Sequence, residues 1–372
     1  MPPPETQVRL GAMCTGTPCT SDSHRSAALS LSISRNILGF GEPGVQSVGV
    51  IQGPATSSVT IPGPGAAAGL KPTNRTGVMY ALGAVTLLGG GIALARMDSL
   101  GLRAAGQVLV ALASVQWFCL LHETGHGSLF RTRGLNRSLG HVAGFLSLIP
   151  FPTWCAVHAA HHRWTGWQDR DSTTESLTPR DRGPLERGLA NLAWRTWIPL
   201  FSIAYRWNNF WNTRRLEGFL PGKGRAATMH ALLHLAGYAA LVAAVGPAEL
   251  WRLVGPGLLV GLSLQDLLIL SQHTHIPMPT SAGRDVRPRT GREQAEYTRS
   301  VSFPTWIGLG LLCGTGEHEC HHVFPQVPGY LLHRIPWDPP RRVGALQFVR
   351  EAKRLRGEHF LFENSNATGF QL

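Results

Sequence analysis

Eight of the sixteen histidines in this 372-residue chain fall in three short windows: His122 and His126 in HETGH, His158, His161 and His162 in HAAHH, and His318, His321 and His322 in HECHH. On a helix, residues three and four apart share a face, so HxxxH and HxxHH each aim two or three imidazoles at one point. Neutral imidazole suits iron, copper, zinc and nickel, and eight or nine such ligands are too many for one ion. Two metal ions are therefore expected, and iron matches the donor set best. Solvated surface histidines or a tag-like metal tract are the bland alternative, and three separate windows of matched spacing weigh against them.

Composition tells what must hold these windows. With 43% hydrophobic residues, 15% charged residues and 43 glycines, the chain does not describe an ordinary pair of soluble domains. The bias comes from apolar runs at residues 77–95, 104–121, 226–245 and 253–272, the last of which holds one charged residue, Asp266. At about 1.5 Å per residue, each run crosses or nearly crosses a hydrocarbon core. The second run leads straight into His122, so the first histidine pair continues a rigid element. The expected fold is an all-α integral membrane protein, four transmembrane helices with a cytoplasmic helical cap holding a histidine-rich di-iron site.

Residues 139–157 are apolar but contain Pro150 and Pro152, and read as a re-entrant or interfacial piece. The stretch WRTWIPLFSIAYRWNNFW places Trp194, Trp197, Trp207 and Trp211 among arginines, as in a helix lying in the headgroup layer. Residues 303–313 read as another interfacial segment, with a short buried strand as the alternative. Arg-rich loops at 131–225 and 284–356 share one side of the four runs. The positive-inside rule puts that side, the metal site and both termini in the cytoplasm.

Residues 1–76 are rich in Gly, Pro, Ser and Thr and read as a disordered N-terminal segment without the shape of a signal peptide. Residues 77–340 form the membrane domain and 341–372 a basic C-terminal tail. The net charge of +12 comes mostly from scattered arginines, which suit a membrane surface and no nucleic-acid module. Six cysteines without CxxC spacing are expected as free thiols in a reducing compartment.

The motifs together resemble the membrane fatty acid desaturase family, in its acyl-lipid, Δ12-like branch, over residues 77–336. HETGH, then Pro152 and Trp154, then HAAHHRWTGWQDRD, is similar to the family's first two boxes, and HECHHVFPQVP to its third. Three residues, not four, separate the histidines of the first box, and the third opens on His318 and not on Gln, which sets aside the acyl-CoA and front-end branches. QHTH at 272–275 resembles the tetrad that precedes the third box, so His273 or His275 completes the metal shell. His273 is favoured for its place at the helix end, although spacing alone does not choose.

The resemblance implies an O2-dependent desaturase with two Fe ions, O2 as co-substrate, and a cis double bond inserted into a membrane-lipid acyl chain. Without a haem-binding HPGG segment, the electrons would come from an external donor, a ferredoxin or a b-type cytochrome with its reductase. Arg341, Arg342, Lys353, Arg354 and Arg356 are candidates to attract an acidic one. A related di-iron hydroxylase or carotenoid ketolase shares the boxes, and a non-enzymatic membrane metal-binding protein is a further rival.

Glu123, Asp169, Asp171, Glu317 and Glu319 flank the boxes, where carboxylates can fix histidine tautomers. Asp266 lies inside the fourth run and is a functional candidate as an intramembrane acid. His230 and His234 repeat the HxxxH spacing in the third run and are assigned to tunnel or headgroup lining. His24, His141, His333 and His359 are isolated and carry no assigned role.

Overall fold

The computed structural model describes residues 61–177 and 182–371. Most of the segment expected to lack structure, residues 1–60 with His24, Cys14 and Cys19, lies outside them. Helix α1, Asn74–Ala95, begins where Thr73 Oγ1 accepts from Thr76 N–H, a serine/threonine-type cap on an otherwise apolar element. After a four-residue break comes α2, Leu100–His126, which ends at Gly127 with a left-handed φ of 69°. Helices α3, Arg133–Leu146, and α4, Phe151–Trp164, meet at a bend of 98°.

Short α5, Ser172–Glu175, leads to α6, Pro184–Thr196, and α7, Leu200–Arg206. A π-helical turn at Trp207–Trp211 and α8, Thr213–Phe219, precede α9, Gly224–Val245, and α10, Pro247–His273, which are joined at Gly246. Among the described residues, α1, α2, α9 and α10 are long and apolar enough to cross a membrane.

Small residues set how closely these helices approach. A Cβ on Gly257 or Gly261 of α10 would lie 2.6 Å from the Gln107 carbonyl or 2.7 Å from Ser114 Cβ of α2. Backbone-to-backbone packing of this kind needs glycine, four residues apart, on the contact face. Pro256 immediately precedes Gly257, and its missing N–H leaves the Arg252 carbonyl without its helical partner. Gln107 Nε2 donates to that carbonyl at 3.0 Å and to the Leu253 carbonyl at 3.1 Å. One amide on α2 thereby heals the break that a proline makes in α10.

A polar chain crosses the bundle deeper in. Gln265 Nε2 donates to Ser114 Oγ at 2.9 Å, and its Oε1 accepts from the buried Arg206 guanidinium, which also donates from Nε to the Ser147 carbonyl at 3.0 Å. A charge this buried is tolerable because its donors are met by oxygens.

The Trp-rich stretch departs from the single helix that its composition predicts. Trp197 adopts a left-handed φ of 61°, and Pro199 two residues on removes a donor, so the chain turns between α6 and α7. Leu185, Leu192, Trp197, Ile198, Ile203 and Trp207 remain exposed. Residues 303–313 become mainly a π-helical turn, Trp306–Leu311, after a two-residue strand β1, Val301–Ser302. That strand pairs in parallel with β2, Val343–Gly344.

Before β1 comes α11, Gly291–Gln294, and between the two strands lie α12, His318–Val323, and α13, Gly329–Leu332. The chain closes with α14, Ala345–Ala352, α15, Gly357–Phe362, and α16, Ser365–Thr368. Phe348 and Phe360 are buried with Ala190 of α6 and Leu270 of α10. Gly357 sits where a Cβ would fall 2.5 Å from the Ala190 carbonyl, so α15 lies directly on α6.

Candidate metal centre

Four chain segments bring histidines to one place. The last turn of α2 supplies His122 and His126, the last turns of α4 supply His158, His161 and His162, the last residue of α10 is His273, and α12 carries His318, His321 and His322. They form two quartets able to hold a metal ion, His122, His126, His158 and His321 in one, and His161, His273, His318 and His322 in the other. Within each quartet the candidate ligand atoms lie within 4.8 Å of one another. His162 belongs to neither, yet its Nε2 is 3.1 Å from His158 Nε2 and 3.1 Å from His321 Nε2, and its ring lies 4.5 Å from that of His322.

The hydrogen bonds on the outer nitrogens show what the inner nitrogens want. His161 Nδ1 donates to Asp171 Oδ2 at 2.7 Å, His122 Nδ1 to Glu123 Oε1 at 3.1 Å, and His273 Nδ1 to the Tyr297 carbonyl at 2.9 Å. His322 Nδ1 donates to Gln294 Oε1 at 2.9 Å, and the amide orientation is fixed because Gln294 Nε2 donates to the His162 and Arg289 carbonyls. A neutral imidazole has one N–H, so each of these four rings turns a lone pair inward from Nε2.

Lone pair then meets lone pair: His318 Nε2 faces His273 Nε2 at 2.9 Å and His322 Nε2 at 3.2 Å, and could donate to only one of them. His122 Nε2 is buried with no hydrogen-bond partner among the described residues. Burial first, and neighbouring imidazoles second, hold His318, His321 and His322 well below the ordinary histidine range, which keeps them neutral. Converging neutral imidazoles with inward lone pairs are the donor set of a transition metal, and the residues fit two such ions.

The glycine of HETGH has a geometric task. A Cβ on Gly125 would fall 1.9 Å from the Trp154 ring, and that ring stacks on His158 with centroids 4.3 Å apart. Of the five flanking carboxylates, Glu123 and Asp171 reach a histidine ring. Glu123 also accepts from Ser128 Oγ and from Gly329 N–H, which ties the first histidine window to the segment after the third. Asp169 is instead held by Ser281, Glu317 by Arg342, and Glu319 by the backbone of Ser300 and Arg341.

His273 enters the cluster and His275 does not: His275, at φ 67°, pairs with Thr368 Oγ1 at 2.8 Å and the Glu363 carbonyl at 3.1 Å. His234 packs among Phe145, Trp211 and Tyr238, apart from the cluster. Gln294 and the Tyr297 carbonyl were not legible as histidine partners. A capping box of Thr290 and Glu293 marks a helical turn there, yet no pattern in the sequence says that the next residue points inward.

A largely apolar cavity of about 290 Å³ is walled by Ala193, Phe201, Ala204, Leu267 and Leu270, with Asp266 also on its lining, and none of the clustered histidines lines it. A smaller cavity shares Leu177 and Leu361 with it and is lined by His273.

Apolar helices of membrane-spanning length whose ends converge on two histidine quartets define a membrane-type helical protein with a histidine-lined metal site. The fatty acid desaturase family profile matches residues 100–339, and the chain belongs to that family, which is one of oxidoreductases. It is 28% identical over 234 residues to an sn-1 acyl-lipid omega-3 desaturase (ferredoxin) of Synechocystis, covering 58% of this chain and 61% of that one. It is 27% identical over 231 residues to an sn-1 oleoyl-lipid 12-desaturase of Picosynechococcus, covering 59% and 63%. An endoplasmic-reticulum omega-3 fatty acid desaturase of Vigna radiata is 26% identical over 234 residues, 58% of each chain. The matched part thus spans roughly three fifths of these relatives.

Proposed function

We propose that the protein is an O2-dependent acyl-lipid desaturase that places a cis double bond in a membrane-lipid chain at a di-iron site. The observation that carries this reading is the pair of histidine quartets, each with its ligand atoms within 4.8 Å of one another, at the ends of apolar helices of membrane-spanning length. His122, His126, His158 and His321 would hold one iron, and His161, His273, His318 and His322 the other, with His162 Nε2 3.1 Å from the Nε2 atoms of His158 and His321. When bound, the two irons supply the reduction of O2 to an oxidant able to remove hydrogen from an unactivated methylene. The chain's own residues orient and exclude: Asp171, Glu123, Gln294 and the Tyr297 carbonyl lock four imidazole tautomers, and the cavity walls hold an alkyl chain away from water.

The relatives' names support a lipid-linked chain as substrate and, in one case, a ferredoxin as donor. Expression with a ferredoxin and its reductase, followed by mass analysis of fatty acid methyl esters, is expected to show a product lighter by one H2. A product heavier by one oxygen atom, or one confined to carotenoids, would transfer the assignment to a hydroxylase or ketolase.

The same reading places four helices across the membrane, with the histidine cluster and both termini on the cytoplasmic side. The α3 and α4 pair starts just after His126 and returns His158 to within 2.8 Å of it, so the pair enters and leaves on one side and adds no crossing. Cysteine-accessibility labelling from outside the cell is expected to reach position 98 and not position 340. Labelling of the latter from outside would refute the topology.

A further inference from the structure

The proposed chemistry consumes electrons as well as O2. Removing one hydrogen from each of two adjacent methylenes while reducing O2 to two waters takes two more protons and two electrons, supplied one at a time by an external donor that is oxidised twice. This inference rests on that reading and asks where the donor docks.

The basic C-terminal residues singled out for this role are largely committed elsewhere. Arg342 pairs with Glu317 and Asp338, Arg354 with Glu351, and Arg356 with Glu358. Lys353 lies between the Trp194 and Trp197 rings, at 3.7 and 3.9 Å from their centroids.

Unpaired positive charge lies elsewhere, over the second histidine window. Arg163, Arg170, Arg284, Arg289 and Arg292 have no carboxylate within ion-pair distance among the described residues, and all but Arg289 are exposed. Of the neighbouring acids, Asp169 is held by Ser281 and Ala282, and Glu293 by Arg287, which leaves the exposed Asp285 and Glu296.

Aromatic rings are interleaved with these arginines. Arg163 and Arg170 lie over Trp164 at 5.3 and 4.7 Å, and Arg289 lies 4.7 Å from both Trp167 and Tyr297. From Tyr297 the path inward is one hydrogen bond, its carbonyl accepting from His273 Nδ1.

We propose that this face, Arg163, Trp164, Trp167, Arg170 and Arg289, is the docking surface for a small acidic one-electron iron protein, and that Trp167, Arg289, Tyr297 and His273 link it to the metal centre. Arg, Trp and Tyr are the residue types that carry binding energy at interfaces, and an exposed arginine cluster steers an acidic partner at low salt. A soluble protein partner is favoured over a lipid surface because the face adjoins the second histidine window and is linked through Tyr297 to His273, on the side that the proposed topology opens to the cytoplasm.

The test uses the iron-loaded protein in nanodiscs, titrated with fluorescent plant-type ferredoxin and, in parallel, with the haem domain of a b-type cytochrome. At least one is expected to bind, more weakly as salt rises. The double change Arg163→Glu and Arg170→Glu is expected to raise its Kd at least tenfold, with iron content unchanged. Charge reversal at Arg350 and Arg354 on and just after α14 is expected to leave Kd unaltered and controls for net charge. The proposal is overturned if neither donor binds, if both reversals act equally, or if only vesicles of anionic lipid bind to this face. Because binding is read without turnover, an intact docking surface in a protein that makes no alkene would sink the desaturase reading and leave the docking site standing.

Discussion

Replacing His161 or His321 by alanine is expected to remove iron and activity together, each variant losing turnover by more than about a hundredfold. The two residues come from different quartets, and each contributes a nitrogen that lies within 4.8 Å of its partners' ligand atoms. Loss of an outer partner is expected to be milder: Asp171→Ala removes the acceptor that orients His161 and is expected to lower metal affinity about 10–100-fold. His275→Ala is the internal comparison, since that ring is engaged by Thr368 and Glu363 and takes no part in either quartet. Metal analysis of purified protein should give two irons per chain for the parent and for His275→Ala, and a deficit for the two ligand variants. Full activity in a protein that holds zinc alone would defeat the assignment.

The helices and the histidine windows were the legible parts of this chain, for a common reason. An uncharged run of membrane length can satisfy its backbone in hydrocarbon in few ways, so residues 77–95 and 104–121 specify α1 and most of α2 by composition alone. HxxxH and HxxHH are local patterns, and helical geometry converts them into shared faces without help from the rest of the fold. Contacts between distant segments were not legible in the same way. QHTH offered two imidazoles, and the choice between them is made by Tyr297 and Thr368, which lie 24 and 93 residues along the chain from the ring each meets.

The break between α6 and α7 shows a different limit. Tryptophan and arginine content describes a solvent boundary and not a backbone path, and one proline together with one left-handed tryptophan decided the path. The basic C-terminal residues looked available in sequence because an ion pair such as Arg342 with Glu317 joins positions 25 apart. Pro256 inside α10 is the converse case, a helix breaker by local rules that a glutamine 149 residues away repairs.

The cavity offers a second large effect. Ala204 lines it from α7, and Ala204→Trp should fill space that the proposed alkyl chain would otherwise occupy, without touching a histidine. If the indole displaces about four methylenes at about 0.8 kcal/mol each, about 3 kcal/mol of binding is lost, a factor of about 200 in kcat/KM for the natural chain. Iron content should be unchanged, because the quartets are fixed by α2, α4, α10 and α12 and by the hydrogen bonds of Asp171, Glu123 and Gln294. A substrate shortened by several methylenes should recover part of the loss, which distinguishes a blocked cavity from a misfolded one. The measurement is kcat/KM against acyl-chain length for parent and variant at matched iron loading. Equal profiles for the two proteins would mean that the acyl chain lies elsewhere, and that the apolar wall of Phe201, Leu267 and Leu270 serves packing alone.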